Sequence, residues 1–339
     1  MSQQVAQRPG GANPAGPETK APRFSSLSAR FFSGSGGALL GLIVLVVVFS
    51  VLSPYFLTPR NVINVLDQVS VLGILAVGAT AVIITGGIDL SVGSILGLGT
   101  MVMGWLSHNA GWPLWTAMLA ALAIGGLAGL LNGVGITFAK LPPFIATLAM
   151  MSVGRGLANI ITDGQQIVGY PEWFSSLSTE RYAGYFSITL IVVALLYLIG
   201  WGWLKYRASG RSVYAIGGGT EVARLAGIHV KKVTIWVYVI AGVLAALGGI
   251  VLASRLDSSQ PGDGSGYELD VIAAVVIGGA SLNGGVGRIG GTVIGVLIIG
   301  VLRNGLNLLG VSPFIQQIVI GLVIAVAVMA DVLRRKQRS

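Results

Sequence analysis

The sequence predicts an all-α membrane protein with about ten membrane segments, some of them broken or re-entrant. Three observations predict it. The chain is 54% hydrophobic and 10% charged, with a mean hydropathy of +0.83, whereas soluble domains carry roughly a quarter charged residues. Its apolar residues fall in runs long enough to cross a hydrocarbon layer at about 1.5 Å per residue. It also holds 51 glycines, and small residues let membrane helices approach closely. Gly125/Gly129, Gly129/Gly133 and Gly291/Gly295 give small-xxx-small faces.

Residues 1–35 are rich in Gly, Pro, Ser and Gln, and read as a disordered basic cytoplasmic tail. The run starts too late and lacks the small-residue site of a cleavable signal. The membrane domain is expected over residues 36–333. Its spans are predicted at 38–56, 64–85, 91–106, 114–139, 144–161, 185–203 and 233–253, then at 289–302 and 314–329. Residues 269–280 are apolar but too short to cross alone, so they either re-enter or continue through Asn283-Gly284-Gly285. Arg155 in the fifth span is expected to face the protein interior or to snorkel. Residues 334–339 form a basic tail.

Basic residues gather in both tails and in the loop 205–232, while Asp163, Glu172, Glu180, Asp257 and Asp263 lie in other loops. The positive-inside rule therefore places both termini and the 205–232 loop in the cytoplasm, with the acidic loops outside. That distribution, rather than one basic face, explains a net charge of +9 and argues against nucleic acid as a partner. With no cysteine, thiol chemistry is excluded. His108 and His229 stand alone, so no metal site is expected.

The stretch 83–99 is the centre of the pattern. Two apolar runs are separated by Gly86-Gly87, one carboxylate, Asp89, and Ser91, which is placed to cap the following helix. This reads as a discontinuous membrane helix, tolerated where it is buried in protein or faces a water-filled cavity. The alternative is a tight turn at the membrane surface. Gly86-Gly87-Ile88-Asp89-Leu90-Ser91-Val92-Gly93 is echoed by Gly278-Gly279-Ala280-Ser281-Leu282-Asn283-Gly284-Gly285. Asn132-Gly133 and Pro143-Phe144-Ile145 are echoed by Asn304-Gly305 and Pro313-Phe314-Ile315. A duplication would put the site where the repeats meet, and the hand of the repeat stays open.

Gly285-Val286-Gly287-Arg288-Ile289-Gly290 matches a dinucleotide fingerprint by letter, but no βαβ context surrounds it. Gly217-Gly218-Gly219-Thr220 lacks the ending of a phosphate loop. No nucleophile–base or paired-carboxylate constellation is present, which argues against an enzyme. In the 205–232 loop, Thr220 is placed to cap a short helix starting at Glu221, with Gly227 as its terminator. Val222, Leu225 and Ala226 fall on one face, Glu221 and Arg224 on another. Such a helix either lies on the membrane surface or docks a soluble partner.

The chain resembles the permease subunits of ribose-type ABC sugar importers from 39 to 331. The resemblance rests on Thr85-Gly-Gly-Ile-Asp-Leu-Ser-Val-Gly-Ser94, on 266–282, and on Arg303-Asn-Gly-Leu-Asn-Leu-Leu-Gly-Val-Ser312. Glu221-Val-Ala-Arg-Leu-Ala-Gly-Ile228 is similar to the Glu-Ala-Ala…Gly loop with which such permeases contact their ATPase, with Val222 in place of the first alanine. The N-terminal tail lies outside the family pattern. The resemblance implies the ABC importer permease fold in a bacterial inner membrane, paired with a second permease copy. ATP would be bound by a partner cassette subunit, with no cofactor in this chain, and a periplasmic binding protein would deliver a monosaccharide. It assigns coupling to Thr220, Glu221, Val222, Ala223, Arg224, Leu225, Gly227 and Ile228. The broken-helix path is expected at Gly86, Gly87, Asp89, Ser91, Gly278, Gly279, Ser281, Asn283 and Asn304. Asp263, Tyr267, Glu268 and Asp270 are expected to face the binding protein. An ion-coupled secondary transporter centred on Asp89 is the rival expectation.

Overall fold

The computed structural model describes residues 35–182, 184 and 186–336. The basic tail expected over 1–35 lies outside these residues but for its last position, where the first helix begins. The described chain is mostly helical. α1 (Ser35–Leu52) is followed by α2 (Pro59–Ile84), α3 (Val92–His108), α4 (Leu114–Thr137) and α5 (Pro143–Ile160). Then come β1 (Ile167–Val168), α6 (Glu172–Thr179), α7 (Ile188–Tyr206), α8 (Ala208–Gly218), α9 (Thr220–Leu225) and α10 (Val230–Leu256). β2 (Ser258–Ser259), α11 (Tyr267–Ile277), α12 (Ile289–Leu308) and α13 (Pro313–Lys336) complete the chain.

Among the described residues five helices are long and apolar enough to cross a membrane: α2, α4, α7, α10 and α12. They differ in surroundings. In its most apolar window α2 is 83% buried, against 17% for α7, so α2 is a central helix and α7 a peripheral one. α2 starts cleanly because Pro59 has no N–H to orphan and the Thr58 hydroxyl accepts from the Asn61 N–H at 3.4 Å. Val71, Ile74, Leu75 and Ile83 on α2 form the core with Ile95 and Leu96 of α3 and Ile299 of α12, while Ile84 joins a second buried cluster with Leu204, Val213 and Ile289.

The glycine faces read from the sequence are packing faces. On α4, Gly125 lies against the backbone of Gly242, Gly129 against Tyr238 and Gly133 against Ile235, so α4 and α10 meet backbone to backbone. On α12, Gly295 meets Ala274 of α11 in the same way, and Gly291 meets Gly278 just beyond the end of α11.

One end of the bundle carries α8 and α9. The other carries α6 and the two-stranded sheet, in which Ile167 pairs antiparallel with Ser259 and Val168 with Ser258. α1 runs toward the sheet end, where Phe49 packs over Gly305, and α13 leads away from it. Several boundaries differ from expectation, among them the end of α12 at Leu308 rather than 302. α2 begins at Pro59 rather than 64, and a helix, α6, stands inside the polar loop 163–184. α13 runs to Lys336, so residues 334–336 of the expected basic tail are helical, and 337–339 lie outside the described residues.

Candidate functional site

α2 ends at Ile84 because Gly86, at φ +81°, turns the chain out of the helix in a conformation that side-chain-bearing residues rarely adopt. The six residues before α3 are largely buried, and Asp89 is 4% exposed. Its Oδ1 accepts from the Ser91 N–H at 2.8 Å and the Ser91 hydroxyl at 2.6 Å. The Ser91 oxygen in turn accepts from Asn132 Nδ2 at 2.9 Å. Thr147 of α5 donates to the Ile88 carbonyl at 3.1 Å. Within the break, the Ser91 N–H is met by Asp89 and the Ile88 carbonyl by Thr147 of α5, as buried irregular backbone requires, while Asn132 of α4 holds the Ser91 hydroxyl. Ser91 occupies the N-cap position, but its hydroxyl makes no cap bond. It is turned back to Asp89, which corrects the expected capping role.

A second break follows α11. Gly279 lies at φ +96°, and the link to α12 is closed by Ser281 N–H donating to the Val286 carbonyl at 2.9 Å. The Asn283 N–H donates to Ser281 Oγ at 3.2 Å. α11 is therefore a half-length helix that does not continue through Asn283. The two breaks touch. Gly285 N–H donates to the Ile84 carbonyl at 2.8 Å, and Gly86 lies beside the Asn283 carbonyl. Of the expected path residues, Gly86, Gly87, Asp89, Ser91, Gly278, Gly279, Ser281 and Asn283 sit in these two breaks. Asn304 does not: it lies near the far end of α12 and exchanges hydrogen bonds with Asn61 at 2.9 and 3.0 Å. Asn132 bonds into the first break while Asn304 is remote from the second, so those two echoed landmarks are not equivalent in space. Gly285 packs against Gly217 and Gly218 of α8 and Gly287 against Ile84, while Gly290 has open space around it.

The loop between α10 and α11 folds inward against α3. Gly264 packs on the backbone of Gly93, and the Asp263 carbonyl lies against Gly97. Arg155 faces the interior, donating to the Pro261 and Asp263 carbonyls at 2.5 and 3.0 Å. Asp263 Oδ2 accepts from Gln260 N–H at 2.9 Å, and Glu268 Oε1 from Gly266 N–H at 3.2 Å. Tyr267 is half-buried at the start of α11. Asp270 is buried and paired with Arg303 at 2.5 Å, which corrects its expected place on a partner-facing surface. Beyond this loop Tyr170 bonds Ser259 at 2.6 Å, and burial pushes its hydroxyl up to about 12. Asp67 and Arg181 form an ion pair joining α2 to the loop before α7, a partnership that local sequence does not mark.

α9 projects from the opposite end. Its N-cap is Gly219, with Thr220 as the first helical residue, which corrects the expected Thr220 cap. Val222 is 71% and Leu225 80% exposed, with Ala226 exposed beside them, while Ala223 is buried. Glu221 and Arg224 pair with each other at 2.7 Å. Gly227 follows at φ +80°, and the Ile228 N–H closes on the Ala223 carbonyl at 3.0 Å. Among the described residues no group of three or more His, Cys, Asp or Glu gathers to hold a metal.

The family model described as branched-chain amino acid transport system / permease component matches residues 61–328. The ribose import permease protein of Bacillus subtilis (strain 168) is 48% identical over 298 residues, covering 87% of this chain and 92% of the relative. The protein of the same description from Escherichia coli (strain K12) is 45% identical over 302 residues, with the same coverage. The D-allose transport system permease protein of E. coli (strain K12) is 38% identical over 296 residues, covering 87% and 90%. No solved structure matches the chain.

Proposed function

The chain belongs to the ribose-type permease family of ABC sugar importers, and from that premise we propose how it works and with what. It is a multi-pass, non-enzymatic transport subunit, the permease of a monosaccharide importer. In the proposal ten segments lie in a bacterial inner membrane: the five long spans together with α1, α3, α5, α13 and the half-helix α11. The basic 205–232 loop and both termini are cytoplasmic. Two copies pair, or one pairs with a close paralogue. Each docks on an ATP-binding subunit that holds the only nucleotide site, and a periplasmic sugar-binding protein feeds the outer face near Asp263, Tyr267 and Glu268.

The observation that carries the docking proposal is the exposed apolar face of α9. Val222 and Leu225 stand out from the protein while Ala223 anchors the helix beneath them. Membrane-surface binding scales with buried apolar area, and a six-residue helix offers too little. A groove on a separate subunit uses the same two side chains better. ATP binding would move α9 and so bias the membrane helices between inward- and outward-open arrangements. The sugar reading follows relatives named for ribose, allose, xylose and fructose. The ion-coupled alternative is not favoured.

Docking is tested by co-purifying the ATPase subunit with the parent chain and with Gly227→Trp. The proposal expects the parent to retain the ATPase and the variant to lose it or to lose substrate-stimulated hydrolysis. Equal retention and equal stimulation would reduce α9 to a linker.

A further inference from the structure

α9 packs on α8 and on the start of α10, and it is α8 that reaches the breaks. A Cβ on Gly217, in the last turn of α8, would collide with the Ile84 carbonyl oxygen and the Gly285 nitrogen. A Cβ on Gly284 would lie 2.9 Å from the Gly217 Cα and 2.8 Å from the Gly86 nitrogen. One turn earlier on α8, the Tyr214 hydroxyl donates to the Gly287 carbonyl at 2.9 Å. The end of α2, the link after α11 and the end of α8 therefore interlock through backbone, with Gly285 N–H to Ile84 O as the shared bond.

Side chains absorb small displacements by changing rotamer, whereas backbone packed on backbone must move as a body or separate. We infer that Gly217 is a positioning residue for transport, passing a displacement of α9 to both helix breaks at once, with Tyr214 holding the register of that contact. The inference rests on α9 being the docking element. It adds where the motion enters the membrane domain, and it gives Gly217 a packing role in a glycine run that lacks the ending of a phosphate loop. Gly217 supplies the close approach, since a Cβ there has no room beside the Ile84 carbonyl and the Gly285 nitrogen.

The test uses the full complex of this chain, its ATPase subunit and its binding protein in proteoliposomes, reading sugar taken up per ATP hydrolysed. Gly217→Ala forces the interlock apart, and Tyr214→Phe removes only a hydroxyl. Both variants are expected to co-purify with the ATPase as the parent does. Uptake per ATP is expected to fall about three- to tenfold in Gly217→Ala and about twofold in Tyr214→Phe. If Gly217→Ala does not assemble, the Tyr214→Phe ratio decides. Normal docking with the parent ratio in the variants that assemble overturns the inference and leaves docking intact. A parent chain that fails to retain the ATPase contradicts the docking proposal instead.

Discussion

Asn61 and Asn304 exchange two side-chain hydrogen bonds, at 2.9 and 3.0 Å, across 243 positions of sequence. Asn61 Nδ2 also reaches the Phe56 carbonyl at 2.8 Å. The pair ties the first turn of α2 to the last part of α12, at the end of the bundle away from both breaks. Bonds of this kind inside membrane proteins average about 0.6 kcal/mol, whereas stranding one buried partner costs about 1–3 kcal/mol. Asn304→Ala is therefore expected to destabilise the protein by about 1–2 kcal/mol. The Asn61→Ala/Asn304→Ala double variant should lose less than the two singles summed. Thermal unfolding in detergent checks it, and strict additivity would show that the two residues act separately.

Asp89 is predicted to matter as an acceptor. Asp89→Asn keeps an oxygen for Ser91 and should retain most uptake. Asp89→Leu strands the Ser91 N–H and hydroxyl, costing about 1–3 kcal/mol at the break, and should reduce assembly or transport severalfold. Ser91→Ala removes both the Asp89 and Asn132 contacts of the hydroxyl and should fall between them. Uptake and yield of assembled complex are measured together. An inactive but fully assembled Asp89→Asn protein would shift the role of this residue from support to ionisation.

Sidedness follows from charge. Reporter fusions after Arg211 and after Asp263 are expected to report opposite compartments, the first cytoplasmic. The same compartment for both would contradict the proposed topology.

The long apolar runs made most helices legible, because burial or lipid contact demands them wherever a helix crosses. α2 begins earlier than its apolar run because Asn61 is polar yet partnered by Asn304, and a partner from a distant segment leaves no mark in local hydropathy. α6 was hidden for a related reason. It buries Phe174 and Ser178 against neighbours within an otherwise polar stretch. Gly86-Gly87 and Gly278-Gly279 marked the two breaks, since few other residues leave a helix so abruptly. Their meeting at Ile84 and Gly285 was not legible, because backbone contacts carry no side-chain signal. The same holds for Gly217, whose only trace was a run of three glycines. Asn304 was misplaced by following a sequence echo through helices that run in opposite directions.

The central claim, ATP-driven passage of a monosaccharide through this chain, is tested most directly in proteoliposomes holding the permease, its ATPase subunit and its binding protein. Uptake of labelled ribose and of a panel of other monosaccharides is followed with and without internal ATP, and with ionophores that collapse proton and sodium gradients. The account predicts uptake of at least one monosaccharide that requires ATP and the binding protein and survives the ionophores. Uptake that proceeds without the ATPase and stops when the gradients collapse would contradict it.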